Sequence, residues 1–306
     1  MAKARQIVKR RKAVRNIRKI TQTMQLIATT RFQRCLKRAV ATKPYTTKIT
    51  EMIETLSGAG TVDHPLLREN AAARASVLLT ITSNRGLCGA YNASILRHAV
   101  EQRKALAARG IDAKMDVVGK KGIAFLKFVR VPVADTITDV EDKIAFARVA
   151  ALAERYMKLY ESGQIARVDV AYTRYVSAGV QRATVAQLLP IVAEPSEAAS
   201  PPAASGLAGA GPIAVPLPAW RAQFEFSPAP EILLARLIPE TVKVRLFQFF
   251  NDAIVSEQIA RMVAMKSATE ASTDMIKSLT RLYNRARQSQ ITLELADIVG
   301  GAEAVN

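Results

Sequence analysis

Both ends of the chain are long stretches without helix-breaking residues. Residues 1–43 contain neither proline nor glycine, and the same is true of residues 240–299. Without these residues one helix can continue for many turns, and sixty residues would form a rod roughly 90 Å long. Such a rod is longer than a domain of this mass is wide. The two ends therefore predict a shaft or a strut rather than an enzyme pocket.

The C-terminal stretch has the seven-residue repeat of a two-helix coiled coil. We expect the helix of residues 3–57, bent near Pro44, to pack antiparallel against a last helix that starts at Pro239. The C-terminal stripe consists of Met262, Met265, Thr269, Ser272, Ile276, Leu279, Tyr283, Ala286, Gln290 and Leu293. A weaker N-terminal stripe consists of Val14, Ile17, Thr21, Met24, Ala28, Arg31 and Cys35.

The middle of the chain alternates strand-like and helix-like segments, which predicts a small Rossmann-like α/β domain at residues 75–194. The overall fold class is thus mixed α/β with a long antiparallel coiled coil, formed by an N-terminal helix (1–57) and a C-terminal helical part (220–306). Residues 195–219, rich in proline, alanine and glycine, are predicted to be a flexible insertion. The predicted strands are 76–82, 113–118, 166–176 and 180–192, the last two forming a hairpin, and the predicted helices are 91–109, 120–129 and 141–162.

The net charge of +18 is concentrated at the N-terminus. Residues 1–50 hold fifteen Lys or Arg and no Asp or Glu, whereas residues 240–306 hold eight basic and eight acidic residues. A surface of this kind favours an acidic partner, which leaves nucleic acid, anionic lipid and an acidic protein surface open.

The sequence lacks the usual motifs of catalytic, nucleotide and metal sites. It contains no phosphate-binding G-x-x-x-x-G-K-[ST] loop, no H-E-x-x-H and no G-x-S-x-G. We therefore expect no cofactor and no metal. The turn at residues 85–89 is interpreted as a tight strand-to-helix turn that needs a positive φ. Cys35 and Cys88 have no metal or redox spacing, which indicates free thiols in a reducing compartment. The apolar runs are too short to cross a bilayer, and we find no secretory signal peptide.

Five separated segments resemble the γ subunit of F-type ATP synthase, in the same order along nearly the whole chain. They are Ile17–Met24 (IRKITQTM), Ser83–Gly89 (SNRGLCG), the paired strands Ala171–Val176 and Thr184–Ile191, Ser256–Met265 (SEQIARMVAM), and Tyr283–Gln288 with Ile291–Asp297 (YNRARQ and ITLELAD). Asn84 stands where the family usually has aspartate.

The resemblance implies a central rotor stalk, present in one copy, that couples ion-driven rotation of the membrane c-ring to ATP synthesis in a head of three α and three β subunits. The implied partners are α, β, ε and the c-ring, and the catalytic residues belong to α and β. The chain would then be a non-catalytic subunit of a proton-translocating complex. It would lie peripherally on the cytoplasmic face of a bacterial inner membrane, with an organellar inner membrane as the less favoured location.

The resemblance also implies which residues contact other subunits. Arg287, Gln288, Thr292 and Glu294 would hold the catch loop of β, and Glu257 and Arg261 would form the lower rotor contacts. Met24, Arg85 and Cys88 would lie near an acidic segment of β. Ile291, Leu293, Leu295, Ile298 and Val299 would form an apolar tip that turns in an apolar collar.

Two alternatives of other classes stay open at this point. A basic coiled-coil protein that binds nucleic acid would show salt-dependent affinity for DNA. Against it, Phe32 and Tyr45 are the only aromatic residues in the first fifty. A nucleotide-dependent enzyme built on the α/β domain would need a phosphate loop, and none is present.

Overall fold

The computed structural model describes residues 2–57, 64–70, 72–191 and 230–303, so the predicted insertion at 195–219 lies outside the described residues. Ten helices and strands are found in the described part. In chain order they are α1 (Ala2–Ser57), β1 (Ala75–Ile81), α2 (Tyr91–Ala108), β2 (Asp112–Val118), α3 (Lys120–Phe128), β3 (Val133–Ile137), α4 (Phe146–Glu161), β4 (Arg167–Tyr175), β5 (Gln181–Leu189) and α5 (Pro230–Glu303).

The five strands form one sheet in the order β3-β2-β1-β4-β5. The first four strands are parallel, and β5 runs antiparallel to β4 in the predicted hairpin, with Tyr175 opposite Gln181. The parallel pairs are joined through helices, as the strand–helix alternation predicts. The mixed α/β fold class is confirmed.

Both faces of the sheet are covered, because successive side chains of a strand point to opposite faces. In β1, Val77, Leu79 and Ile81 belong to a core shared with α4 and α5. Leu78, between them, belongs to a second core shared with α2 and α3. The C-terminal helix is therefore both half of the shaft and a layer of the α/β domain.

The long helices α1 and α5 pack antiparallel to form the shaft. The Oγ1 atoms of Thr21 and Thr269 lie 2.8 Å apart. Farther along the shaft, towards the end of α5, the Arg11 guanidinium lies 5.0 Å from the centre of the Tyr283 ring. The predicted stripe of α5 faces inward from Met262 to Gln290, but Leu293 is 65% exposed.

Two details of the shaft differ from the predictions. Ile17 belongs to the predicted stripe of α1, but it is 51% exposed, and the neighbouring Arg18 is turned inward instead. The helix α5 begins at Pro230, so Pro239 lies inside it instead of at its start. Ile238 and Val242 are almost completely buried on either side of this proline. Packing against the α/β domain therefore maintains a helix that proline alone would interrupt.

The edge of the sheet also differs from the predictions. The short strand β3 was not predicted, and α4 begins at Phe146 instead of residue 141. Residues 138–145, which connect these two elements, have no regular structure. We call residues 138–145 the strap, because they cross from the sheet edge to the shaft.

Candidate functional site

The turn after β1 lies against the shaft. Within it, Leu87 and Gly89 have positive φ angles of 65° and 58°, so the predicted positive φ is confirmed. A Cβ atom on Gly89 would lie 3.6 Å from the Cβ of Ala264 on α5. Because a glycine has no side chain, the turn adopts this positive φ without strain, whereas 3.6 Å to Ala264 is an ordinary van der Waals distance.

Arg261 joins α5 to this turn. Its side chain is almost completely buried, and its Nη2 donates to Glu257 Oε1 at 2.6 Å. Its Nη2 and Nε also lie 3.4 Å from the carbonyl oxygens of Arg85 and Gly86, respectively. Burial raises the pKa of the Glu257 carboxyl, and the neighbouring Arg261 opposes that rise. These contacts fasten the turn to the shaft, because a buried charge is stable only when it is paired and hydrogen-bonded.

The side chains of the turn are not equally available to another subunit. Arg85 is exposed, whereas Cys88 is only 2% exposed and its Sγ accepts a hydrogen bond from Asn92 Nδ2 at 3.2 Å. Cys88 thus lies beneath the surface of the turn, and its expected position near an acidic segment of β stays a prediction. Leu87, which the sequence did not single out, is 61% exposed beside it. Met24, the third member of the predicted group, is half-buried on α1.

The four residues expected to hold the catch loop all lie exposed near the end of α5. Thr292 and Glu294 are already ordered by local bonds. Thr292 Oγ1 donates to the Gln288 carbonyl at 3.0 Å, and Gln290 Nε2 donates to Glu294 Oε1 at 2.9 Å. Arg287 and Gln288 are exposed on the preceding turn of the helix. The structure thus leaves all four side chains exposed over about two turns of α5, and their subunit contacts stay a prediction.

The tip of α5 extends beyond its partner helix. The pairing of Thr21 with Thr269 and of Arg11 with Tyr283 brings the start of α1 near residue 290 of α5. About thirteen residues, or roughly 20 Å of helix, lie beyond that point. All five predicted tip residues are half or more exposed: Ile291 55%, Leu293 65%, Leu295 61%, Ile298 69% and Val299 50%. An isolated helix with exposed apolar side chains is suited to an apolar partner surface.

In one segment of the shaft every charged residue is basic, although the charges of the whole C-terminal part balance. Residues 5–19 contain eight Lys or Arg and residues 275–293 contain four, and neither range contains an Asp or Glu. We call these two ranges the upper shaft. None of the eight basic residues of α1 in this segment forms an ion pair with a side chain that the structure describes. The balanced charge of the whole C-terminal part therefore hides a local excess.

The described residues offer little to a small ligand or a metal. A cleft of about 250 Å³ lies between the turn, the strap and α5, and both acidic and basic side chains line it. Within the described ranges, no group of three or more His, Cys, Asp or Glu residues is placed to hold a metal ion. No described helix has a segment long and apolar enough to cross a membrane.

Comparison with known proteins gives a consistent result. A family model described as ATP synthase matches residues 3–305. A Rhodopirellula baltica protein named ATP synthase gamma chain is 44% identical over 308 residues, covering 100% of this chain and 99% of the relative. A Leptospira biflexa protein of the same name is 34% identical over the full length of both chains. Neither relative supports the nucleic-acid alternative.

Solved structures share the fold. A chain of the rotor of Euglena gracilis mitochondrial ATP synthase has a TM-score of 0.64 at 18% identity, covering 95% of this chain and 99% of that one. A chain of the Tetrahymena thermophila mitochondrial ATP synthase central stalk and c-ring has a TM-score of 0.55 at 18% identity, covering 81% of this chain and 99% of that one.

The fold and its exposed surfaces define a shaft protein, in which two long helices rise from a small α/β domain. With the full-length matches, the chain belongs to the ATP synthase gamma chain family.

Proposed function

We propose that this chain is the central rotor stalk of an F-type ATP synthase. It turns as one body inside a head of three α and three β subunits, and the α/β domain rests on the ε subunit and the c-ring. The chain supplies no catalytic group of its own, and acts on the sites of the head through its asymmetric shape. Its membrane association, at the cytoplasmic face of a bacterial inner membrane, comes only through the complex.

The observation that carries this proposal is the shaft. The 74 residues of α5 would span roughly 110 Å, and the inward stripe from Met262 to Gln290 packs against α1 over about 40 Å of that length. Packing between the helices stabilises each of them far beyond what propensity alone would provide. A stiff rod with its base in a folded domain can transmit a twist from one end to the other.

The basic upper shaft fits a rotating contact with acidic loops of β. Electrostatic attraction is long-range and needs no fixed geometry, so the shaft can pass from one β subunit to the next. The upper shaft itself holds no Asp or Glu, so its basic residues have no acidic partner within these two ranges. The tip would turn in an apolar collar, where non-directional contacts permit sliding.

The exposed side chains of Arg287, Gln288, Thr292 and Glu294 would contact the catch loop of β. Arg85 and Met24 would lie near the acidic segment of β. Glu257 and Arg261 would support the lower rotor contacts from within, since most of their polar atoms already bond to this chain. The rotor would thus contact β at two heights, with the α/β domain below.

The proposal is tested by reconstitution with α and β subunits from the same source. We expect size-exclusion chromatography to give a complex with one copy of this chain and three copies each of α and β. We also expect the ATPase activity of α and β to rise on its addition. Failure to form a complex, together with salt-sensitive binding to DNA, would contradict the proposal.

A charge variant tests the role of the upper shaft in the same assay. Arg10 and Arg15 are both exposed on α1, and reversing both to Glu should weaken assembly roughly tenfold at low salt, with a smaller difference at high salt. The matched control reverses Arg97 and Lys104, which are exposed on α2. Equal effects of the two pairs would show that only net charge matters, which would refute the role of this surface.

A further inference from the structure

The strap is the segment that connects the α/β domain to both helices of the shaft at once. Three of its side chains, Val140, Asp142 and Ile144, are half-buried, while the intervening Glu141 and Lys143 are exposed. This alternation is typical of an extended segment lying on a surface. Val140 and Ile144 pack against an apolar cluster that includes Cys35 of α1 and Ile254 of α5.

Asp142 lies at the centre of this arrangement and bonds to both helices. Its carboxylate contacts Arg31 Nη1 of α1 at 2.6 Å through Oδ2, and accepts from Gln258 Nε2 of α5 at 2.9 Å through Oδ1. Its carbonyl oxygen accepts from Arg38 Nη2 at 3.0 Å. The thiol of Cys35 lies 3.6 Å from the same oxygen. One residue of the domain therefore holds both helices of the shaft.

The other end of the strap is fixed by Asn84, which lies in the turn after β1. Its Nδ2 donates to the carbonyl oxygens of Thr138 at 3.1 Å and Val140 at 2.7 Å. Its Oδ1 accepts from the backbone N–H of Lys120 at 3.1 Å. An aspartate here would have no donor for the two carbonyls, so this asparagine lets the turn and the strap act as one unit.

The same turn is fastened to α5 by Arg261. The turn, the strap and the two helices thus form a closed chain of contacts around the point where the shaft leaves the domain. A rotation of the domain about the shaft would have to break the bonds of Asp142. We propose that the strap is a torque-bearing joint that locks the α/β domain to both helices of the shaft, in addition to the core that α5 shares with the sheet, and that Asp142 is its positioning residue. This inference rests on the proposed rotor function, because only a rotor needs a stiff joint here.

The joint is tested by the spread of distances between the domain and the shaft. Spin labels are placed at Glu101→Cys on α2 and Ser278→Cys on α5, both exposed, while the two native cysteines are buried. Distance distributions are measured in the free chain and in the complex with α and β subunits, with wild-type and variant straps. The helical content of each variant is checked by circular dichroism.

We expect Asp142→Ala to raise the variance of the distance about 1.5-fold or more, because half of the polar contacts of Asp142 disappear while its backbone bonds and the apolar contacts stay. The matched control is Asp139→Ala in the same strap. Within the described ranges, Asp139 forms an exposed ion pair with Arg148 at 2.9 Å and no hydrogen bond to either shaft helix, so this change should leave the variance unaltered. Equal variances for the two variants would overturn the inference.

A second variant keeps the test decisive if Asp142→Ala impairs folding. Arg31→Ala removes the same ion pair from the side of the shaft and leaves the strap sequence intact. Its effect should be smaller than that of Asp142→Ala and should not add to it. Full additivity, or no widening, would contradict the role of this bond. A wild-type chain that does not assemble with α and β would instead contradict the proposed function.

Discussion

The shaft depends on a narrow buried seam, and Leu279→Asp tests it most severely. Leu279 is only 8% exposed. The pairing of Thr21 with Thr269 and of Arg11 with Tyr283 brings it opposite the turn of α1 that contains Val14, itself 7% exposed. An aspartate at this position would place a carboxylate in the buried seam, where attraction to the basic residues of the upper shaft offsets only part of the cost of removing it from water.

The expected cost follows from two terms. Loss of the buried leucine side chain removes about 1.5–3 kcal/mol of stability, and burial of the incompletely hydrated carboxylate removes more. Together they should lower the free energy of unfolding of the upper shaft by about 3–5 kcal/mol. The control is Leu282→Asp, one turn further along α5, where the leucine is already 49% exposed. Its cost should be within about 0.5 kcal/mol, as at other surface positions.

Hydrogen exchange of the backbone amides in residues 5–19 reports this difference directly. Leu279→Asp should speed their exchange by roughly 150-fold to several thousandfold, as about 3–5 kcal/mol requires, while Leu282→Asp should leave it nearly unchanged. Urea unfolding followed by circular dichroism gives an independent value. Equal protection in the two variants would refute the reasoning, because the seam would then not hold α1 in place.

Three further predictions concern the α/β domain and its junction with the shaft. Burial raises the pKa of the Asp116 carboxyl above its ordinary value of 3.8. The free energy of unfolding of the wild type, relative to that of Asp116→Asn, should therefore be highest below about pH 4 and should fall as the pH rises through the raised pKa. Urea unfolding across that pH range measures this difference. Gly119→Ala should lower the free energy of unfolding by about 2 kcal/mol or more, as measured by thermal unfolding, because Gly119 has a φ of +95° and an added Cβ would lie 2.3 Å from a carbonyl oxygen. Its control, Gly179→Ala, has open space around the added Cβ and should be nearly neutral. Arg261→Met should lower the free energy of unfolding by about 3 kcal/mol and raise the pKa of Glu257 further, because the carboxylate stays buried without its partner. An unchanged pKa of Glu257, measured by a carboxyl titration with nuclear magnetic resonance, would contradict this.

The elements that could be predicted from the sequence are those with a strong local pattern. The stripe from Met262 to Gln290 repeats every seven residues, and the structure turns every one of these positions inward. The weaker stripe of α1 is less decisive, because small and polar residues occupy many of its positions. This explains why the predicted stripe includes Ile17, although it is exposed and the neighbouring Arg18 is turned inward.

Other features depend on contacts between distant parts of the chain. Proline normally ends a helix, but α5 continues through Pro239 because its neighbours are buried against the sheet and α4. The edge strand β3 has only five residues and pairs with β2 alone, so its pattern is too short to identify. The predicted helix 141–162 includes Ile144 because the apolar residues that follow it, from Val149 onward, recur every three or four residues. The structure instead places Ile144 in the strap, where it packs on the shaft.

The candidate site also combines residues that sequence motifs could predict with residues whose role depends on contacts between distant parts of the chain. The resemblance identified the exposed polar residues near the end of α5, and the apolar tip, from motifs that are contiguous in sequence. Cys88 belongs to the same kind of motif, but its burial beneath the turn could not be inferred from the motif. Asp142 has no sequence signal at all, since a single aspartate in the first turn of the predicted helix 141–162 is normally solvated. Its contacts exist only because α1 and α5 meet beside the strap.

Rotation of this chain inside the head is the claim that most needs a direct measurement. The head of α and β subunits is immobilised, and a marker is attached through Glu101→Cys on α2 of the assembled complex. With ATP present, the account predicts that the marker turns in one direction and stops when this chain is cross-linked to β. ATP hydrolysis that continues at full rate with the marker stationary, or with the chain cross-linked, would contradict the account.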